Sequence, residues 1–203
     1  MPLIIAHPAA KAGATCSALT SHLDLLPTFV ALTGLPDIKR PAAVRALPGH
    51  DFSALLANPE NASAQAVRPG VLFNYVGVGT VDGDFLRQMM ISLFLRKPGP
   101  PISRAKLDRR GFLLFVFDGR YKFARYYAPT AFNTPHTLEE ILKQNDVQLF
   151  DLQTDLEEMH NLALESEKNR DTIVRMNDLL NELVAKEIGA NDGQFLKPII
   201  ASK

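Results

Sequence analysis

Apolar and polar residues follow two different patterns along this chain. Leu3-Ile4-Ile5-Ala6 is a continuous apolar run closed by His7-Pro8, as expected of a strand buried on both faces in a helix-covered parallel sheet. Between Ser21 and Gly34, Pro27 suits the first turn of a helix and Gly34 its end, which predicts a helix from about Leu23 or Pro27 to Thr33. Residues 35 to 70 are rich in proline and read as loop, with one helical turn at Asp51-Phe52-Ser53-Ala54-Leu55-Leu56.

From Val71 the pattern changes to short strand-like runs. These are Val71-Leu72-Phe73-Asn74-Tyr75, Met89 to Leu95, Phe112 to Phe117, and Arg120 to Tyr127 after the hairpin signal Asp118-Gly119. Gln148 to Leu152 reads as a further short strand. Tyr121 and Phe123 alternate with Arg120 and Lys122, which predicts an antiparallel sheet with one wet face. Asn169 to Ile188 carries Ile173, Met176, Leu180, Leu183 and Val184 at helical spacing and stops at Gly189. That stripe is wide enough to cover one face of a small sheet. The tail, 191 to 203, is an apolar arm that needs a partner surface.

Composition narrows the function classes. The 203 residues carry no formal net charge, with 46% hydrophobic and 22% charged residues, so the basic footprint of a nucleic-acid binder is missing. No apolar run reaches the roughly 18 to 20 residues that span a bilayer. The opening residues lack a basic leader. Together with the lone cysteine, Cys16, these features lead us to expect a cytoplasmic protein without intrachain disulfides.

Candidate chemistry is sparse. His7, His22, His50, His136 and His160 lack the spacing that places two imidazoles on one metal. Cys16 has no basic neighbours to activate it, and reads as an inert thiol. Asp82-Gly83-Asp84 resembles the start of a calcium loop without its later ligands, and reads as a turn. Arg104, Lys106, Arg109 and Arg110 form a basic cluster that suits either a solvated loop or a phosphate or sulfate site.

Three ordered segments resemble the C-terminal part of the sulfatase family, within the alkaline phosphatase superfamily. Ser21-His22-Leu23-Asp24-Leu25-Leu26-Pro27-Thr28 through Gly34-Leu35-Pro36 is similar to the family's "D-x-x-P-T" helix ending in "G-x-P". Leu47-Pro48-Gly49-His50-Asp51-Phe52-Ser53-Ala54-Leu55-Leu56 is similar to its "G-x-S-L-x-P-L-L" element. Asp118 to Phe123, then Gln148-Leu149-Phe150-Asp151-Leu152 to Asp155 and Asn161-Leu162, resemble the ending "E-L-Y-D-L-x-x-D-P-x-E-x-x-N-L", with Leu156 in place of the proline.

The resemblance implies an α/β fragment followed by an α+β part. Residues 1–65 would end a large mixed-sheet domain, 66–190 would form a small antiparallel sheet packed by a long helix, and 191–203 a tail. It implies hydrolysis of sulfate, or related phosphate or phosphonate, monoesters by a formylglycine beside a calcium-like divalent metal. The formylglycine motif "C/S-x-P-x-R" and the metal ligands have no counterpart here, and Cys16-Ser17-Ala18-Leu19-Thr20 lacks both the proline and the arginine. No catalytic or metal-binding residue is therefore assigned, and the isolated chain is expected to be inactive. His50, Tyr75, Asp82 and Asp84 are candidates for the substrate rim. Leu3-Ile4-Ile5, each worth roughly 1.5 to 3 kcal/mol when buried, would need cover from elsewhere. This leaves two partners open beside a small-molecule ester: a separate N-terminal half or a second copy. The contrasting reading is a non-catalytic interaction module.

Overall fold

The computed structural model describes residues 3–36, 46–77, 82–95 and 106–189. Its centre is an antiparallel sheet of four strands in the order β1 (Val71–Tyr75), β2 (Phe112–Phe117), β3 (Tyr121–Tyr127) and β4 (Asp146–Asp151). The hairpin between β2 and β3 turns at Asp118-Gly119, where Asp118 Oδ1 accepts hydrogen bonds from the amides of Arg120 and Tyr121. Gly119 has φ +100°, a conformation that other residues adopt at a cost. The register sets Val116 opposite Phe123, and Phe123 opposite Leu149. All three are fully buried, so this alternation defines the inner face.

Among the described residues, four α-helices accompany the sheet: α1 (Leu25–Leu32), α2 (Gly83–Leu95), α3 (Leu138–Gln144) and α4 (Arg170–Glu187). Helix α4 lays the predicted stripe, Ile173, Met176, Leu180, Leu183 and Val184, on the inner face. Leu138 and Ile141 of α3 join the same core. No described residue before Leu72 belongs to it.

The opposite face is not simply wet, because Phe73, Phe115 and Phe117 share it with Lys122. Phe73 and Phe115 stack with ring centroids 4.8 Å apart, and the Lys122 ammonium sits 5.3 Å from the Phe115 ring. Phe73 and Tyr75 remain 43% and 44% exposed.

Two strand expectations need correction. Leu3 to Ala6 forms no strand, and Ile4 is 90% exposed, because no described strand pairs with that run. Met89 to Leu95 is the end of helix α2, not a strand. Short apolar runs fit either period, and here the upstream cap decides: Asp82 Oδ1 accepts from the amides of Asp84 and Phe85, satisfying two first-turn donors. Helix α3 was not expected at all, although Thr137 and Glu140 form a capping box at its start. The helix read from about Leu23 or Pro27 to Thr33 is α1, entered through a short 3₁₀ turn, His22–Asp24. Arg104 and the 191–203 tail lie outside the described residues.

Asp82 also accepts from the Lys106 amide at 3.2 Å, fastening the chain beyond α2. Asp82→Ala is expected to cost about 1 kcal/mol of local stability. Amide exchange over 84–95 should accelerate while β2 and β3 keep wild-type rates. Unchanged exchange over 84–95 would remove the capping role.

Candidate functional site

Among the described rim candidates, only Asp82 and Asp84 share a hydrogen bond, from the Asp84 amide to Asp82 Oδ1. His50 is half-buried on the side of the chain that precedes β1, where its amide donates to Asp24 Oδ1 at 2.7 Å and its Nε2 lies 3.3 Å from Lys186 Nζ. Tyr75 ends β1, beyond a strand that spans roughly 13 Å, and is exposed. Asp82 is buried as the α2 cap, and Asp84 is exposed in the first turn of that helix. The hydrogen bonds to Asp82 hold its carboxyl below the ordinary aspartate range, led by the Phe85 amide.

The strongest polar construction lies elsewhere. Asp24, Arg68 and Glu187 come from three remote parts of the chain and form a buried ion triad. Arg68 donates from Nε and Nη2 to the two oxygens of Asp24, at 2.9 and 2.6 Å, and from Nη1 to Glu187 Oε1 at 2.6 Å. Asp24 also accepts from the amides of Ser21 and His50, both at 2.7 Å. Burial pushes the Asp24 carboxyl up, but these bonds and the Arg68 charge outweigh it and hold it below the usual range. Local sequence explains one corner: Ser21 and Asp24 form a capping box, so the Asp of the "D-x-x-P-T" element is fixed before Arg68 reaches it. Arg68 and Glu187 carried no sequence signal.

A second polar cluster sits beneath the sheet. Arg125 of β3 is 1% exposed and donates from Nη1 to the side-chain oxygens of Asn177 and Asn181, and from Nη2 to the Asn133 carbonyl. Among the described residues its Nε has no partner. Burial pushes its guanidinium down to about 10, with Tyr127 opposing, so it remains a cation at neutral pH.

The "D-L-x-x-D…N-L" stretch is also structural. Asp151 pairs with Arg120 at 2.7 Å. Asp155 accepts from the amides of Met159 and His160, and Asn161 Oδ1 accepts from those of Leu149 and Ala163. These side chains fold the turn after β4 back onto the strand. Leu156, at the position where the resembling motif has proline, is exposed.

Two open grooves run beside α4. One of about 590 Å³ is lined by His136, Thr137, Glu139, Arg170, Arg175 and Asp178, and one of about 410 Å³ by Gln65, Asp118, Arg175, Asp178 and Glu182. Their charges neutralise one another: Arg170 pairs with Glu139 and Glu167, and Arg175 with Asp118. Among the basic cluster, Arg110 is engaged by Asp146, and the Lys106 amide by Asp82. Among the described residues, no group of three or more His, Cys, Asp or Glu is placed to hold a metal ion, and Cys16 is exposed. These described donors do not fit the divalent metal that the resemblance implies. No described helix is long and apolar enough to cross a membrane.

The fold is that of a small antiparallel sheet backed by a long helix, the arrangement found in a part of sulfatase structures. Solved structures that share it include BT4656 in complex with D-glucosamine-2-N,6-O-disulfate, with a TM-score of 0.55 and 16% identity over 91% of this chain. A 2-O GAG sulfatase, BT1596, matches at 0.45 and 19% identity over 81% of this chain. A sulfatase structure from Bacteroides fragilis matches at 0.48 and 17% over 86%. The chain spans 28%, 24% and 26% of those three proteins, respectively. No family model and no curated protein matches the chain.

Proposed function

We propose that this chain is the C-terminal part of a sulfatase-like hydrolase of sulfate, or related phosphate or phosphonate, monoesters. It contributes scaffold and one wall of the substrate cleft. The observation that carries this reading is the likeness of 91% of the chain to 28% of a sulfatase structure, together with the same three sequence elements in the family's order. The structure bound to a sulfated glucosamine favours a sulfate ester over the other two.

The nucleophile and the divalent metal belong to residues that this chain does not supply. Its own residues hold the fold and bound the cleft. Of the rim candidates, Tyr75 and Asp84 present free side chains for that role, while His50 and Asp82 have structural bonds. A cytoplasmic setting belongs to the same proposal.

Two measurements test it. Purified 203-residue protein, given an aryl sulfate and calcium, is expected to show no hydrolysis above the blank. Metal-dependent turnover would overturn the assignment of the chemistry to other residues. The DNA upstream of the first codon should encode "C/S-x-P-x-R" in frame or in an adjacent reading frame, and its absence would reject the sulfatase reading.

A specific observation also favours assembly with another polypeptide. Ile4, Leu26 and Phe29 are apolar and exposed on the early segments, as are Phe73 and Tyr75 on the sheet. These side chains are the apolar surface that a partner polypeptide would cover.

A further inference from the structure

The described residues fall into two groups that share no apolar core. Residues 112 to 184 supply the buried cluster between the sheet and its helices. Helix α1 instead packs chiefly on the 3₁₀ turns His22–Asp24 and Ser53–Ala57, with Phe52 and Leu56 buried locally. Polar bonds stitch this early group together: Thr28 Oγ1 donates to the Asp24 carbonyl and accepts from the Phe52 amide. What joins it to the sheet is the buried triad, reinforced by the Lys186–His50 contact and by Gln65 Nε2 donating to the Asp118 carbonyl at 2.6 Å.

We propose that Asp24, Arg68 and Glu187 form a latch that holds residues 21–34 and 49–57 on the C-terminal end of α4, and that this early group detaches as a unit before the sheet core unfolds. Arg68 is the bridge. One guanidinium face is filled by Asp24, which the capping box and the His50 amide fix to the early group. The remaining arm reaches Glu187, the last residue of α4. The hydrogen bonds of this triad are short-range and directional. Losing one bond leaves an unpaired buried charge, whereas apolar packing weakens gradually. The joint therefore opens in a single step.

Native-state hydrogen exchange on the wild-type chain, in rising sub-denaturing guanidinium chloride, tests this without a variant. Amides over 21–34 and 49–57 should exchange through a smaller opening than amides of β2, β3 and α4. Glu187→Gln, which keeps the side-chain shape and an acceptor oxygen but removes the negative charge, should accelerate exchange in the early group by about tenfold or more, as expected when a buried ion pair loses one of its charges. The sheet amides should keep wild-type rates. Parallel opening of both groups in the wild type, equal acceleration of both in Glu187→Gln, or no acceleration in either, would each overturn the latch. None of these outcomes bears on the sulfatase reading.

Discussion

Gly49→Ala is expected to disable the early half of the molecule. A Cβ at this position would lie 1.9 Å from the Leu23 carbonyl oxygen and 2.5 Å from its carbon. Both are backbone atoms, so no side-chain rotation relieves the clash. The Leu23 backbone is itself pinned between Ser21 and Asp24 of the capping box. The remaining way out is to move residue 49 away, which pulls the His50 amide off Asp24 Oδ1. The cost should therefore exceed the ~1–3 kcal/mol typical of overpacked sites, with a lost bond to a buried carboxylate added to it. Chemical denaturation of the variant beside wild type measures it. A midpoint within error of wild type would show that the approach of residue 49 to Leu23 is not required.

The second large effect should come from Asn177→Ala. Asn177 is fully buried, accepts from Arg125 Nη1 at 2.7 Å and donates to the Pro135 carbonyl at 2.7 Å. Arg125 faces neutral oxygens in this cluster and already has an unpaired Nε. Removing one acceptor from a buried cation costs about 1.5 to 3 kcal/mol, and the cavity adds to that. A loss of about 3 kcal/mol is expected. Combining it with Arg125→Met should recover more than about 1 kcal/mol of the summed single costs, because the acceptor matters only while the cation is present. Strict additivity, or a single-variant cost below about 1 kcal/mol, would show that the two groups are not coupled.

Some of this architecture could be read directly from the residues. Helix α4 announced itself because its apolar stripe recurs at helical spacing and Gly189, with φ +100°, ends it. The β2–β3 hairpin followed from Asp118-Gly119 between two alternating runs. Helix α2 was misread for a physical reason: Met89 to Leu95 is apolar throughout, and such a run fits both periods. Its start signal, Asp82, lies several residues upstream and was taken for a turn. Helix α3 is announced in the sequence only by its capping box, Thr137 with Glu140.

The candidate site divides in the same way. The "D-x-x-P-T" and "D-L-x-x-D…N-L" elements were visible as patterns, and the structure gives their carboxylates and amides local capping tasks over a few residues. The exposed aromatic face of the sheet was harder to foresee. Alternation shows that a strand has two faces, but which of them α4 covers depends on the path of the chain between β4 and that helix.

What the sequence determined by itself were the features that act over a few residues: periodicity, caps, the tight turn, and the want of a nucleophile motif. Tertiary structure alone decided that residues 24, 68 and 187 share one buried ion triad, that Arg125 rests on asparagines, and that Leu3 to Ala6 stays unpaired. Short-range preferences are set by neighbours along the chain. The meeting of distant charges is set by how the packed elements cross, and no local pattern encodes that crossing.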